Sequence, residues 1–91
     1  MAERHAVVGS SVGLHARPAA LLVQAAGRAP VKVTIAKEGG EPTDARSILG
    51  VLSLDARRGD KVVLAADGDG AGAVLAELAG LIESDLDAGE G

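Results

Sequence analysis

Val31-Lys32-Val33-Thr34-Ile35-Ala36-Lys37 alternates apolar and polar positions, and Gly39-Gly40 follows close behind. A period of two sends Val31, Val33 and Ile35 to one face, so the stretch predicts a half-buried strand. The glycine pair predicts a hairpin turn, and residues 41–43 a short return strand. Pro42 has no N–H to give a ladder, which places that return strand at a sheet edge. One apolar face on an antiparallel pair needs a second layer to cover it.

The flanks supply that layer. Arg4-His5-Ala6-Val7-Val8 ends at Gly9 and reads as a strand, and Gly9-Ser10-Ser11-Val12-Gly13 reads as a loop. From Ala16 to about Ala26, Pro18, Leu21, Leu22, Ala25 and Ala26 recur at spacings of three and four, the signature of one helical face. Gly27 and Pro30 mark its end, with Arg28 suited to the negative helix terminus. Further on, Ser47 is placed to cap a short apolar helix over residues 48–53, and Gly59-Asp60 introduces a strand over residues 61–66. Asp67-Gly68-Asp69-Gly70 forms a turn, with Asp69 as cap for a last helix striped by Val74, Leu75, Leu78, Leu81 and Ile82. Gly80 inside that helix costs about 1 kcal/mol relative to alanine. Residues 85–91 read as a flexible polar tail. The order is β-α-β-β-α-β-α: an α+β fold with three helices on one face of a four-stranded antiparallel sheet, in a single domain over residues 1–91.

Composition narrows the function. Of 91 residues, 43 are apolar, but 18 of these are alanine, so only 25 larger side chains remain for one two-layer core. The absence of cysteine excludes a disulfide framework and a thiolate zinc site. With no aromatic residue there is no base-stacking platform, and a net charge of −4 without a basic run repels a phosphate backbone. The longest stretch free of charged residues, 5–16, is far short of the roughly 20 that span a bilayer. No signal-type segment follows the first residues. A soluble cytoplasmic domain is expected, without membrane insertion or nucleic-acid partner.

Gly13-Leu14-His15-Ala16-Arg17-Pro18 is more specified than packing requires. If His15 is the N-cap, Ala16, Arg17 and Pro18 fill a first turn whose N–H groups lack intrahelical acceptors. Pro18 removes one such donor without loss and pre-sets its own φ. A helix start attracts anions, and Arg17 can make charge-assisted bonds to phosphate oxygens. The same positive surroundings favour an uncharged His15 ring, the form able to attack phosphorus. Gly13 would allow a tight turn and close approach by a partner. On spacing alone, a capping or solvated surface histidine accounts for these residues about as well.

Gly13-Leu14-His15-Ala16-Arg17-Pro18-Ala19-Ala20 resembles the active-site signature of the HPr family, the histidine-containing phosphocarriers of the bacterial phosphoenolpyruvate-dependent sugar phosphotransferase system. Arg46-Ser47-Ile48-Leu49-Gly50-Val51-Leu52-Ser53-Leu54 resembles that family's serine signature, and the likeness extends over the whole chain. It implies an open-faced β-sandwich acting as a stoichiometric carrier, not an enzyme on its own, with no cofactor and no metal on the carrier. His15 would match the histidine phosphorylated on Nδ1 by enzyme I, which then passes phosphate to IIA components of sugar permeases. Arg17 would match the arginine that stabilises the transferring group, with the Ala16 and Arg17 amides binding phosphate.

Ser47 would match a serine that a dedicated kinase phosphorylates in many relatives, turning the carrier into a ligand for a transcription factor. Helix capping already explains a serine there. Ala20, Leu21 and Gln24, with Ile48, Leu49 and Leu52 beside them, would form a docking surface. Rimmed by Arg17, Arg28 and Arg46, it suits an apolar, acidic partner of a monomeric carrier. Ala29, Leu49 and Leu52 stand where relatives often carry aromatic residues or methionine. A regulatory adaptor working through Ser47, or a nitrogen-linked carrier using His15, are the alternative functions. Asp67-x-Asp69 imitates an EF-hand, but Ala71 and Leu78 occupy liganding positions. His5 carries no motif.

Overall fold

The structure, a computed structural model, describes residues 2–84, so the tail expected at 85–91 lies outside the described residues. The elements are β1 (Ala2–Val7), α1 (Ala16–Arg28), β2 (Val33–Lys37), β3 (Thr43–Asp44), α2 (Ile48–Ser53), β4 (Lys61–Ala66) and α3 (Ala71–Glu83). The strands form one sheet in the order β1-β4-β2-β3. Every neighbouring pair is antiparallel. This is the α+β open-faced sandwich that the element order predicts. Among the described residues no helix is long and apolar enough to cross a membrane.

Alternation sorts the sheet into two faces. Val62, Leu64 and Ala66 of β4, Val33 and Ile35 of β2 and Ala6 of β1 are buried under the helices. Each such valine, leucine or isoleucine contributes about 1.5–3 kcal/mol when fully withdrawn from water. His5, Val7 and Lys61 belong to the opposite, open face. Above the core, α1 buries Pro18, Ala19, Leu22, Ala25 and Ala26. Helix α3 buries Ala71, Leu75, Leu78, Ala79 and Ile82. Alanine at so many of these positions lets helices and sheet approach closely where no aromatic ring fills the space.

The boundaries that move do so for tertiary reasons. Helix α1 runs through Gly27 to Arg28, because Pro30 and not the glycine ends it. The residue before a proline is driven out of the helical region, and Ala29 is extended at φ −72°, ψ 145°. Strand β2 begins at Val33, opposite Ala66, where its partner β4 ends. Val31 therefore packs beside the core without joining the ladder. Strand β3 comes later than residues 41–43, pairing Thr43 with Ile35 and Asp44 with Thr34. The connection spans residues 38–42, longer than a two-residue hairpin turn. Asp69 does not cap α3: the cap is Gly70, whose φ of 82° carries the chain into the helix without a side-chain bond.

Candidate functional site

The loop after β1 is fastened at each step. Val8 donates its N–H to the Asp60 carbonyl at 2.9 Å, and Gly9 to that of Ile82 at 3.0 Å. Buried Ser10 accepts from the Val12 amide at 3.3 Å through Oγ, and its carbonyl accepts from Gly13 at 3.0 Å. Leu14 is fully buried and donates to the Ala56 carbonyl at 2.9 Å. Gly13 has φ 74°, and a Cβ there would lie 2.6 Å from the Ala56 carbonyl oxygen. The close approach expected of a partner at Gly13 is thus made by the chain's own backbone at Ala56 and Arg57.

His15 emerges from this anchor as the N-cap of α1, extended at φ −133°, ψ 172°, with no side-chain cap bond. Its side chain is 40% exposed. Ala16, the first helical residue, has φ 49°, a left-handed value that a Cβ makes unfavourable by about 1–2 kcal/mol. Arg17 is exposed on the same turn and Pro18 is buried. Strained backbone of this kind is held only where the surroundings over-determine it, and it gathers at functional sites.

The ring's electrostatic setting differs from a purely positive one. His15 Nε2 lies 3.8 Å from Asp55 Oδ1, so a carboxylate faces the imidazole. Asp55 is bound in turn by Arg57, whose Nη2 donates to Oδ2 at 3.3 Å. Behind them, Lys37 Nζ stands 3.3 Å from Asp60 Oδ2. The Arg57 backbone N–H donates to that same oxygen at 2.9 Å and is the chief cause holding Asp60 below the usual carboxylate range. Asp55 and Arg57 are functional candidates that the sequence did not single out. The only local signal was a dense Asp-x-Arg-Arg-x-Asp run, which reads as a solvated loop.

Ser47 Oγ accepts from the Gly50 amide at 3.0 Å, the capping bond foreseen for α2. Helix α2 packs on α1 and on β3, and a Cβ at Gly50 would collide with the Thr43 side chain. Leu49 is 77% exposed and Ile48 is exposed as well, while Ala20, Leu21 and Leu52 are half-buried and Gln24 is exposed. Val12, in the loop before His15, is a further exposed aliphatic residue that loop chemistry concealed.

The arginine rim is reduced. Arg46 is bound by Asp44, with Nε to Oδ1 at 3.2 Å and Nη2 to Oδ2 at 3.0 Å. Those side-chain bonds, with the Arg46 amide, bring the Asp44 carboxyl down to about 2. Arg28 sits at the far end of a 13-residue helix, about 20 Å from His15 at the α-helical rise. Among the described residues no group of three or more His, Asp or Glu side chains could hold a metal ion. His15 lines none of the hollows between α1 and α3, beside the Pro42 loop or on the open sheet face.

His15 thus stands half-exposed at a strained helix start on a small open-faced sandwich. A family model described as "PTS HPr component phosphorylation site" matches residues 2–84. The phosphocarrier protein HPr of Streptomyces coelicolor is 51% identical over 87 residues, covering 96% of this chain and 94% of that protein. The HPr-like protein Crh of Bacillus subtilis is 36% identical, covering 94% of this chain and 100% of its own. The crystal structure of a phosphocarrier protein HPr from Bacillus anthracis superposes with a TM-score of 0.83 at 34% identity, over 89% of this chain and 95% of that one. The chain belongs to the HPr family, phosphocarriers of the phosphotransferase system.

Proposed function

We propose that this chain is a stoichiometric phosphoryl carrier that takes phosphate on His15 Nδ1 from phosphorylated enzyme I and delivers it to IIA components of sugar permeases. It works as a monomeric single domain in the cytoplasm. The observation that carries the reading is His15 itself: a partly exposed imidazole at the uncapped start of α1, beside a strained Ala16. The imidazole attacks phosphorus as the donor's bond to phosphorus breaks. The opening turn at Ala16 and Arg17, with the Arg17 guanidinium, receives the phosphate oxygens. Such transfer depends mostly on positioning and charge stabilisation.

Ala20, Leu21, Gln24, Ile48, Leu49 and Leu52 form the docking surface, and Val12 extends it. Leu49, the most exposed of the large apolar side chains among the described residues, supports this assignment. Ser47 supports α2 through its hydroxyl, and capping accounts for it without a regulatory role through a kinase and a transcription factor. The deciding experiment incubates the protein with phosphoenolpyruvate and enzyme I. Wild type should acquire acid-labile phosphate, and His15→Ala should acquire none while keeping its fold by circular dichroism. Acid-labile label on His15→Ala would refute the assignment.

A further inference from the structure

We propose that Asp55 is a positioning residue for His15: its carboxylate favours the ring form with the proton on Nε2 and stabilises the positive charge the ring gains when Nδ1 is phosphorylated. This deepens the reading of His15 as the acceptor and rests on it.

The carboxylate is placed by several contacts. Oδ1 faces His15 Nε2 at 3.8 Å while Oδ2 accepts from Arg57 Nη2 at 3.3 Å, so each oxygen has a different partner. The Asp55 amide donates to the Leu52 carbonyl at 3.2 Å, and the Asp55 carbonyl accepts from Lys37 Nζ at 3.4 Å. At the next residue, the Ala56 carbonyl receives the Leu14 amide, which fixes the distance between this loop and the histidine. The backbone offers a second line of support. Asp55 has φ 50°, a conformation that glycine adopts without penalty. Among the described residues only Ala16 and Asp55 are non-glycine residues with positive φ. One adjoins His15 in sequence and the other faces its ring.

The chemistry gives the carboxylate a task. A neutral imidazole has one N–H and one ring lone pair. A proton on Nε2 leaves the lone pair on Nδ1, which forms the new N–P bond as the donor's bond to phosphorus breaks. No proton moves in that step, so the ring, now bearing N–P and N–H, becomes cationic. Passing the phosphate onward restores the neutral ring. A negative group on the Nε2 side stabilises the charge where it develops. At 3.8 Å the contact is too long for a direct hydrogen bond and acts through its field. With the two side chains 40% and 59% exposed, its effect is modest.

The test compares Asp55→Asn, Asp55→Gly and Asp55→Glu in the full chain. Nitrogen-15 NMR of the His15 ring above pH 8 reads the tautomers, and the Nε2–H to Nδ1–H ratio should fall roughly threefold in the asparagine and glycine variants. With phosphoenolpyruvate and enzyme I, kcat should fall roughly threefold while KM for the carrier holds, and glutamate should recover part of the loss. Glycine suits the local backbone, so Asp55→Gly should be at least as stable as wild type, which separates lost transfer from lost folding. Unchanged tautomer ratio and kcat in both variants would overturn the proposal. A rise in KM alone would also overturn it, by assigning Asp55 to docking. If wild type takes no phosphate on His15, the carrier reading fails, whereas the tautomer ratio still decides whether Asp55 acts on the ring.

Discussion

Two helix starts in this protein are built in opposite ways. At α2, Ser47 has an ordinary φ of −94°, and its hydroxyl accepts from the Gly50 amide. The preceding residues are secured by the bidentate Asp44–Arg46 pair. At α1, His15 makes no capping bond with its side chain, and Ala16 is held in a left-handed conformation. The first arrangement satisfies the helix locally. The second is stabilised from outside, by Leu14 in the core and the Ala56 carbonyl, and leaves its first-turn N–H groups without a side-chain cap. A helix start closed by its own cap is a structural device; one held open by its surroundings is suited to a ligand.

Variants at the two starts should therefore fail differently. Arg17→Ala should slow phosphoryl transfer about tenfold, equivalent to about 1.4 kcal/mol in the barrier, with an unchanged unfolding midpoint. Equal losses of stability and transfer would make Arg17 structural and weaken the contrast. Ser47→Ala should behave in the reverse sense, lowering stability by about 1 kcal/mol in urea unfolding and leaving uptake of phosphate on His15 intact. The smallest effect sharpens the description of the α2 start through pH. Because Asp44 is held at about 2 against an ordinary 3.8, its bond to Arg46 contributes stability that is present above about pH 4 and lost as pH falls toward 2. Asp44→Asn should flatten that part of the stability profile in acid titration. A profile that stays the same would show that the pair adds nothing to the closed start.

Much of the architecture was legible because local rules governed it. Ser47 set the start of α2, and alternation set β4 at Lys61–Ala66, both at the expected residues. The His15 segment stood out as more specified than packing requires, while its spacing alone left a capping or surface histidine equally open. What stayed hidden depends on residues distant in sequence meeting in space. The start of β2 is fixed by the end of β4, and the neighbour of the His15 ring comes from the loop after α2. No periodicity encodes either. Asp69 is a local rule that misled: two positive-φ glycines on its flanks supplied the entry to α3 through the backbone. Arg46 belongs by position to the rim expected for an acidic partner, yet Asp44 two residues earlier pairs with it.

The bond from the Leu14 amide to the Ala56 carbonyl has a bearing on biosynthesis. The histidine is translated early, yet its surroundings are completed only when the stretch beyond α2 folds back against it. A nascent chain halted before that stretch would possess the imidazole without the architecture that presents it.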